Sequence, residues 1–269
     1  MSVWTLALVA AMNLVQQPFV GLPRSIHEVD VRVGDSVVRA LCTDGPRRVA
    51  LVQDAGPSPE RWRATLEHLP PDVGGCAYGR VPEGEGGEEP APRGWYELLD
   101  ELHRVHDALG LVPPYVLGGH GLGGLYARLY ASSRPLDVGG LLLVEPAHED
   151  LPRLIRPAMP LRDWERWMAG REVVNGDGMR EEELAARARR ATLPDRPVTV
   201  VTATRRIVPD SWDGRFVAEA RRRAHESILR GLTRGRHVPA RSSGPDVPLD
   251  EPALLAEELA RIVRVLEGS

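Results

Sequence analysis

Lysine is absent from this 269-residue sequence, and all 34 of its basic residues are arginine. A chain without lysine cannot form a lysine Schiff base, which excludes pyridoxal-phosphate chemistry on such a side chain. The formal net charge of −4 leaves no basic face for nucleic acid, so a nucleic-acid partner is not expected. The sequence has two cysteines, Cys42 and Cys76, and their spacing is not that of metal ligands. We therefore expect neither a metal nor a cofactor.

The two cysteines fall on separate predicted strands. Their simplest interpretation is a pair of buried core thiols in a reducing compartment, whereas a disulfide is possible but unsupported by the sequence. Residues 3–15 are apolar, but they lack the basic start and cleavage site of a signal peptide and are too short to span a membrane. We expect residues 3–15 to form a docking helix within an N-terminal docking segment, residues 1–24, with Met12 as an alternative start, in a cytoplasmic protein without a membrane partner.

The length suits one domain with one large core, and no linker divides the chain. Residues 26–33 and 36–43 alternate apolar and polar side chains around Gly34-Asp35, which predicts an antiparallel hairpin at the edge of a sheet. Further strands are expected at 48–53, 73–78, 115–117, 138–144, 197–203 and 236–241. Helical spacing occurs at 60–69, 95–109, 122–130, 161–170, 179–191, 217–231 and 254–266. This alternation predicts an α/β fold: a mostly parallel central sheet with helices on both faces.

A segment without predicted strands interrupts this alternation. Residues 146–194 contain two helical stretches and no strand pattern, and they follow a strand that is apolar throughout its length. A helical insertion at this point is typical of a cap over an active site. The sequence therefore predicts a core of residues 25–145 and 195–269, with a helical cap insertion at 146–194.

The stretch from 114 to 132 organises the chain, because it combines a strand, a sharp glycine-rich turn and a helix. This pattern is that of a nucleophile elbow, in which a G-x-S-x-G sequence lifts a serine above the carboxyl edge of a parallel sheet. Here the sequence is Gly119-His120-Gly121-Leu122-Gly123. Both flanking glycines are present, but Gly121 occupies the position of the serine.

With these motifs the chain resembles the α/β-hydrolases over residues 25–267. Asp54-Ala55-Gly56 corresponds to the loop that supplies an oxyanion-hole amide in that family, and Tyr78-Gly79-Arg80 resembles its Tyr-Asp-Arg. Residues 143–150 resemble Leu-Val-Asp-Pro-Ala-His-Glu-Asp, with Glu145 in place of the first aspartate. Near the C-terminus, Ser243-Gly244-Pro245 aligns with a Ser-Gly-His that carries the catalytic histidine.

These departures have chemical consequences for the resemblance. Triad hydrolysis requires an activated hydroxyl and an imidazole base, and neither Gly121 nor Pro245 provides one. Acyl-enzyme chemistry should therefore be absent. Glu145 is the best remaining ionisable group, either as a base whose pKa is raised by burial or as a structural acid. Arg206 lies near the alternative position of the triad acid, so that position is not acidic either.

Other candidate residues have competing structural interpretations. His120 precedes the elbow apex and is expected to pack in the core, whereas His148 suits a cap contact and a functional role equally. Structural roles are favoured for His225 and His237. Solvated helix faces are expected for the arginines at 187–190 and 221–223. Trp164, Trp167 and Met168 either line a pocket or form the apolar face of a docked helix.

The retained scaffold without a triad resembles the peptide aspartate epimerases of bottromycin biosynthesis. That resemblance implies an isomerase that converts L-Asp to D-Asp beside a thiazoline in a ribosomal peptide natural product, assisted by the substrate's own carboxylate. Alternatives are a catalytically dead binding protein for a small molecule or peptide, and a lyase or cyclase of secondary metabolism. The expected partner is a modified peptide or small-molecule substrate. The residues expected to contact it are Ala55, Gly56, His120, Gly121, Leu122, Glu145, Trp164, Met168 and Pro245.

Overall fold

The computed structural model describes residues 24–34, 36–53, 58–80, 94–171, 181–205 and 212–268. Several predicted features lie outside these ranges: the docking helix apart from Arg24, the Asp54-Ala55-Gly56 loop, and Arg206. Eight strands form one sheet within the described residues, and their order in the sheet is β1-β2-β4-β3-β5-β6-β7-β8. They are β1 (Ile26–Val33), β2 (Ser36–Thr43), β3 (Arg47–Val52), β4 (Gly74–Tyr78), β5 (Tyr115–His120), β6 (Val138–Val144), β7 (Val198–Ala203) and β8 (Gly235–Ala240).

The pairing of these strands confirms a mostly parallel sheet. β1 and β2 are antiparallel, with Ile26 opposite Thr43 and Val33 opposite Ser36, as the alternation predicted. Of these two strands only β1 lies at an edge of the sheet, however, because β2 also pairs with β4 in antiparallel orientation. All pairs from β4 to β8 are parallel. The carboxyl ends of the six parallel strands therefore meet at one edge, where ligands of open α/β sheets bind.

Helices cover both faces of the sheet. One buried apolar cluster joins one face to α2, α3 and α6, and a second joins the other face to α1 and α9. This two-sided burial explains why the central strands are apolar along their whole length. The helices are α1 (Arg63–Glu67), α2 (Trp95–Ala108), α3 (Leu122–Ser133), α4 (Leu151–Ile155), α5 (Leu161–Arg171), α6 (Glu181–Ala188), α7 (Gly214–Ile228), α8 (Val247–Asp250) and α9 (Pro252–Glu267).

The described part of the predicted cap insertion contains α4, α5 and α6 and no strand. The sequence did not predict α4, which is one and a half turns long and begins with Leu151-Pro152. α4 packs on α7, and α6 packs on α3. The indole Nε1 of Trp212 donates a hydrogen bond of 2.8 Å to Asp163 in α5. These contacts attach the helices of the insertion to the core.

Cys42 and Cys76 form a disulfide, so the prediction of free thiols is wrong. The two residues are directly opposite each other on β2 and β4, with their Cα atoms 4.1 Å apart. Both are buried, as expected. A disulfide is not typical of a reducing compartment, so the cytoplasmic location loses this support and stays a prediction. None of the described helices is long and apolar enough to cross a membrane.

A row of hydrogen-bonded aromatic side chains crosses the core between α2, β5 and α3. Tyr78 donates to Nε2 of His106 (2.7 Å), and Nδ1 of His106 donates to the hydroxyl of Tyr115 (2.8 Å). Tyr115 donates to Tyr130 (3.1 Å), which donates to Asp137 (3.2 Å). Burial lowers the pKa of His106 to about 3. The imidazole is therefore neutral and acts once as donor and once as acceptor. The direction of the row follows from its end, because the Asp137 carboxylate accepts from Tyr130.

Candidate active site at the elbow

The turn between β5 and α3 has the geometry of an elbow. Gly121 has φ +53° and ψ −118°, a conformation that glycine adopts readily and that strains a residue with a side chain. Its N–H donates to the carbonyl of Val144 (3.0 Å), and its carbonyl accepts from the N–H of Ala147 (2.8 Å). The end of β6 and the residues after it therefore hold the apex of the turn in place.

The glycines around the apex permit close packing. A Cβ atom at Gly119 would lie 2.3 Å from the carbonyl oxygen of Gly123, and one at Gly123 would lie 2.7 Å from that of Val52. Real Cβ atoms do not approach backbone this closely, so the first turn of α3 can rest on β5 and β3 only because both positions are glycine. The sequence pattern thus marks a tight strand-to-helix junction.

His120 connects this junction to the loop that contains Pro245. Its Nε2 lies 2.8 Å from the carbonyl oxygen of Pro245 and donates to it, and the side chain is 7% exposed. Nδ1 has no hydrogen-bond partner in the described part of the chain. His120 is therefore buried in the core, as expected. Its contact also shows that Pro245 lies beside the elbow.

The loop of Pro245 is itself fixed by polar contacts. The carboxylate of Asp250 accepts from the N–H of Gly244 (2.9 Å), and Arg205 donates its N–H to the carbonyl of Ser243 (3.1 Å). Arg61 forms an ion pair with Asp246 on the other side of the loop. Proline has no side-chain nitrogen, so Pro245 presents no base to the elbow.

Glu145 follows β6 and has two protein partners. Oε1 accepts the N–H of Ala203 (2.5 Å), and Oε2 lies 3.2 Å from Nη1 of Arg221. Arg221 also donates to the carbonyl of Ala203 (3.0 Å). Burial raises the pKa of Glu145, while Arg221 and the Ala203 N–H oppose that rise. Because both oxygens are occupied by partners that hold β6, β7 and α7 together, the geometry favours a structural acid over a base.

The position of the Arg221 side chain differs from the sequence prediction. The arginines at 221–223 were expected on a solvated helix face, but the side chain of Arg221 is only 8% exposed. Arg222 and Arg223 are exposed and pair with Glu219 on the same helix, as expected for such a face. The guanidinium of Arg221 points inward because a buried carboxylate requires a compensating charge.

Two further histidines next to this ion pair are hydrogen-bonded in a defined order. His237 donates from Nε2 to the hydroxyl of Thr202 (2.8 Å), which donates to Nδ1 of His225 (2.7 Å). His225 donates from Nε2 to the carbonyl of Pro146 (3.1 Å). Burial, and secondarily Arg221, lowers the pKa of His225 to about 3. Both histidines have satisfied structural contacts, in agreement with the sequence interpretation.

His148 forms a contact between the predicted cap and α7. Its Nδ1 accepts the N–H of Asp150 (3.1 Å), and its Nε2 donates to the hydroxyl of Ser227 (3.0 Å). Burial lowers its pKa. The neighbouring pair of Arg128 and Glu149 is also buried, with both carboxylate oxygens 2.6 Å from Nη2. Of the two roles open for His148, the structure therefore supports the cap contact.

Two cavities adjoin the Arg128–Glu149 pair. The first, of about 480 Å³, is here called the cap cavity; the second, of about 380 Å³, lies between α3 and the ends of α6 and α7. Gly121, Glu145 and Pro245 line neither of them. The cap cavity is lined by Glu149, Pro152, Arg153, Arg156, Trp164, Met168, Glu182, Ala185 and Arg189.

The structure therefore separates the residues that were expected to bind substrate into two groups. His120, Gly121, Leu122, Glu145 and Pro245 cluster at the carboxyl edge of the sheet, and Trp164 and Met168 line the cap cavity. Ala55, Gly56 and the side chain of Trp167 lie outside the described residues. Sequence reasoning missed Arg221, Arg128 and the arginines of the cap cavity. Among the described residues, no group of three histidine, cysteine, aspartate or glutamate side chains could hold a metal ion.

Comparison with solved structures identifies the architecture. Haloalkane dehalogenase DatA from Agrobacterium tumefaciens C58 superposes with a TM-score of 0.60 at 11% identity, over 90% of this chain and 97% of that one. Carboxylesterase CesB from Bacillus subtilis gives 0.57 at 12% identity, over 90% and 93%. The chain has the α/β-hydrolase fold. A thermophilic esterase from Thermogutta terrifontis agrees, with a TM-score of 0.55 at 18% identity over 90% and 99%.

Sequence comparison adds less. No family model matches the chain. The uncharacterized protein YqjL of Bacillus subtilis (strain 168) is 29% identical over 108 residues, which is 39% of this chain and 43% of that protein. The chain spans less than half the length of the curated relatives it matches. The solved structures compared above are those of a haloalkane dehalogenase and two esterases, and identities this low establish the fold but not the reaction.

Proposed function

We propose that this chain is a non-hydrolytic enzyme of the α/β-hydrolase fold: a peptide Cα epimerase that converts L-Asp to D-Asp beside a thiazoline. The observation that carries the proposal is the composition of the elbow. Gly121 has no nucleophile, Pro245 offers only a carbonyl that His120 already occupies, and both oxygens of Glu145 are engaged. A reaction without a covalent intermediate and with a base from the substrate fits such a site.

The backbone at the elbow supplies what this reaction still needs. α3 begins at Leu122, and the partial positive charge at a helix N-terminus favours an anion there. In the proposed reaction the carboxylate of the substrate aspartate removes its own Cα proton, and the electron pair moves onto the adjacent unsaturated group. The first-turn amides stabilise the resulting enolate-like anion. The carboxyl proton exchanges with solvent water, and the carboxyl group delivers a proton to the opposite face after rotation about the Cα–Cβ bond, so no bond to the protein forms or breaks.

Deuterium incorporation tests the proposal without a chiral assay. A synthetic peptide with an aspartate next to a thiazoline is incubated with enzyme in D2O and analysed by mass spectrometry and NMR. We expect enzyme-dependent deuterium at the aspartate Cα and intact peptide bonds. The matched peptide with asparagine should bind but show no exchange if the substrate carboxylate is the base. Tight binding of the aspartyl peptide with no exchange above a heat-treated control would contradict the proposal.

A Glu145 variant distinguishes the two possible bases. Glu145→Gln keeps the acceptor for the Ala203 N–H but leaves the buried Arg221 uncompensated, so it is compared with Glu145→Gln/Arg221→Met. If the substrate carboxylate is the base, the folded double variant retains exchange. Loss of exchange in a double variant with a native circular dichroism spectrum would assign the base to Glu145 instead.

A binding protein without catalysis is the second candidate. The observation that favours it is the position of the cavities, since neither is lined by Gly121, Glu145 or Pro245. Ligand binding that survives substitution at the elbow, without deuterium exchange for any peptide, would be the result expected for this candidate. A lyase or cyclase of secondary metabolism would instead convert its substrate to a product of changed mass or connectivity.

A further inference from the structure

The cap cavity combines an apolar wall with several arginines. Trp164, Met168, Pro152 and Ala185 contribute aromatic and aliphatic surface, and Arg153, Arg156 and Arg189 contribute guanidinium groups. The volume of about 480 Å³ is within the range of small-molecule sites. This composition suits a ligand with an apolar body and a charged end.

The balance of charge in the lining determines the sign of that end. Two carboxylates face three guanidinium groups, but Glu149 is already neutralised by the buried Arg128. Arg153 has an exposed side chain and no ion-pair or hydrogen-bond partner among the described residues. Arg189 lies 3.6 Å from Asp150, and both of these side chains are well exposed. Among the described lining residues, positive charge is therefore in excess, which favours an anion.

Arg156 is the best-positioned of these arginines. Its guanidinium carbon lies 5.2 Å from the centre of the Trp164 ring, and its Nη1 donates to the carbonyl of Met159 (3.2 Å). These two contacts orient the planar group while leaving most of its five N–H donors to other acceptors. A carboxylate that accepts from Arg156 would bring the adjoining part of the ligand against Trp164 and Met168.

We propose that the cap cavity binds a hydrophobic carboxylate: an aromatic or aliphatic acid, held by Arg156 and packed on Trp164. The site does not rest on the reaction proposed for the elbow, because no residue of the elbow lines it. A carboxylate fits better than a neutral ligand of the same shape, since a partly buried guanidinium forms stronger hydrogen bonds with a charged acceptor.

Calorimetric titration with two matched probes tests this site. N-acetyl-L-phenylalanine has an aromatic ring and a carboxylate, and its carboxamide has the same shape without the charge. We expect the acid to bind with a stoichiometry of one and at least about tenfold more tightly than the amide. Equal affinity for both probes, or no heat of binding for the acid at millimolar concentration, would overturn the proposal.

Variants then locate the binding. Arg156→Gln should lower the affinity for the acid by about tenfold and leave the affinity for the amide unchanged. Trp164→Leu should lower the affinity for both probes. Arg166→Gln is the matched control, since Arg166 is on α5, is exposed and does not line the cavity. Thermal unfolding and circular dichroism identify variants that fold. If Arg166→Gln and Arg156→Gln lost the same amount of affinity for the acid, or if folded Arg156→Gln kept full affinity for it, this location would be contradicted.

Discussion

The carboxylate of Glu145 and the guanidinium of Arg221 lie 3.2 Å apart, and each side chain is only 8% exposed. Removing one member of a buried pair leaves an uncompensated charge, which destabilises proteins by about 3–5 kcal/mol. We expect Arg221→Met to lower the free energy of unfolding by this amount at pH 8. Arg223→Gln, an exposed arginine of the same helix, should leave the urea midpoint unchanged.

The destabilisation caused by Arg221→Met should depend on pH in a defined direction. Burial already raises the pKa of Glu145, and Arg221 opposes the rise, so Arg221→Met should raise this pKa further. A carboxyl whose folded pKa exceeds its unfolded pKa destabilises the fold above the folded pKa, and the penalty disappears as the pH falls. The difference between wild type and Arg221→Met should therefore be smaller at pH 5 than at pH 8. A constant difference across this range would show that lost packing, not charge, causes the effect.

Ester hydrolysis should be absent and should not return with a single substitution at the elbow. We expect wild type and Gly121→Ser to cleave p-nitrophenyl acetate no faster than heat-treated protein, because Pro245 stands at the position of the catalytic histidine and the His120 imidazole is engaged by the Pro245 carbonyl. A side chain at φ +53° is strained, so Gly121→Ser should also lower stability by about 1–3 kcal/mol. A burst of p-nitrophenol equal to the enzyme concentration would reveal another nucleophile.

Two buried histidines should make the fold sensitive to acid. The pKa of His106 and that of His225 are each lowered to about 3 from an ordinary value of 6.5. A histidine with a lowered pKa in the folded protein takes up a proton on unfolding. The free energy of unfolding is therefore highest above about pH 6.5, the unfolded pKa, and falls as the pH decreases towards about 3, the folded pKa. Each histidine should remove about 1.4 kcal/mol of stability per pH unit in this window. Urea titrations from pH 7 to 4 measure the slope.

NMR of the imidazole C–H groups checks the same prediction for each histidine. The resonances of His106 and His225 should stay constant between pH 8 and 5, because both rings remain neutral in the folded protein. Thr202→Val, which removes the hydroxyl that donates to Nδ1 of His225, serves as a probe of assignment. A titration of either ring with a midpoint above about pH 5 would be incompatible with its burial.

The disulfide between Cys42 and Cys76 should be measurable in mass and in stability. Alkylation of the denatured protein should modify no cysteine before reduction and two cysteines after it. The cross-link closes a loop with a sequence separation of 34 residues, for which chain entropy gives about 3–4 kcal/mol. The Cys42→Ala/Cys76→Ala variant should lose roughly this stability. Two reactive thiols in protein purified without reductant would restore the interpretation of free core thiols.

Much of the fold was predictable because it depends on local and periodic signals. The alternation at 26–33 and 36–43 predicted the hairpin, and the apolar run of β6 predicted a central strand. The elbow was predictable because its glycines form a short contiguous pattern, although the contact that requires Gly123 is with Val52 on β3. Leu151-Pro152 carries no such periodicity over the short length of α4, and this helix was therefore missed.

The side-chain contacts of the site were much harder to predict. Arg221 belongs to a helix with three consecutive arginines, and no local pattern shows which one turns inward to Glu145. The same holds for the cross-strand disulfide, since the register of β2 against β4 depends on β3 and α1, which lie between them in the chain. The contact of His120 with Pro245 joins the middle of the chain to its end. Such contacts depend on tertiary register, which sequence periodicity does not encode.

The tight packing of Gly119 and Gly123 bears on how such chains are recognised. A Cβ atom at position 119 would lie only 2.3 Å from the carbonyl oxygen of Gly123, so a search pattern built on these two glycines detects tight packing. It does not detect a reacting group. Such a pattern will retrieve hydrolases and chains like this one alike. The atoms that discriminate between them are those that project above the junction, at Gly121 and in the loop of Pro245. Classification of these proteins by reaction should therefore weigh those two positions above the glycines that bring them together.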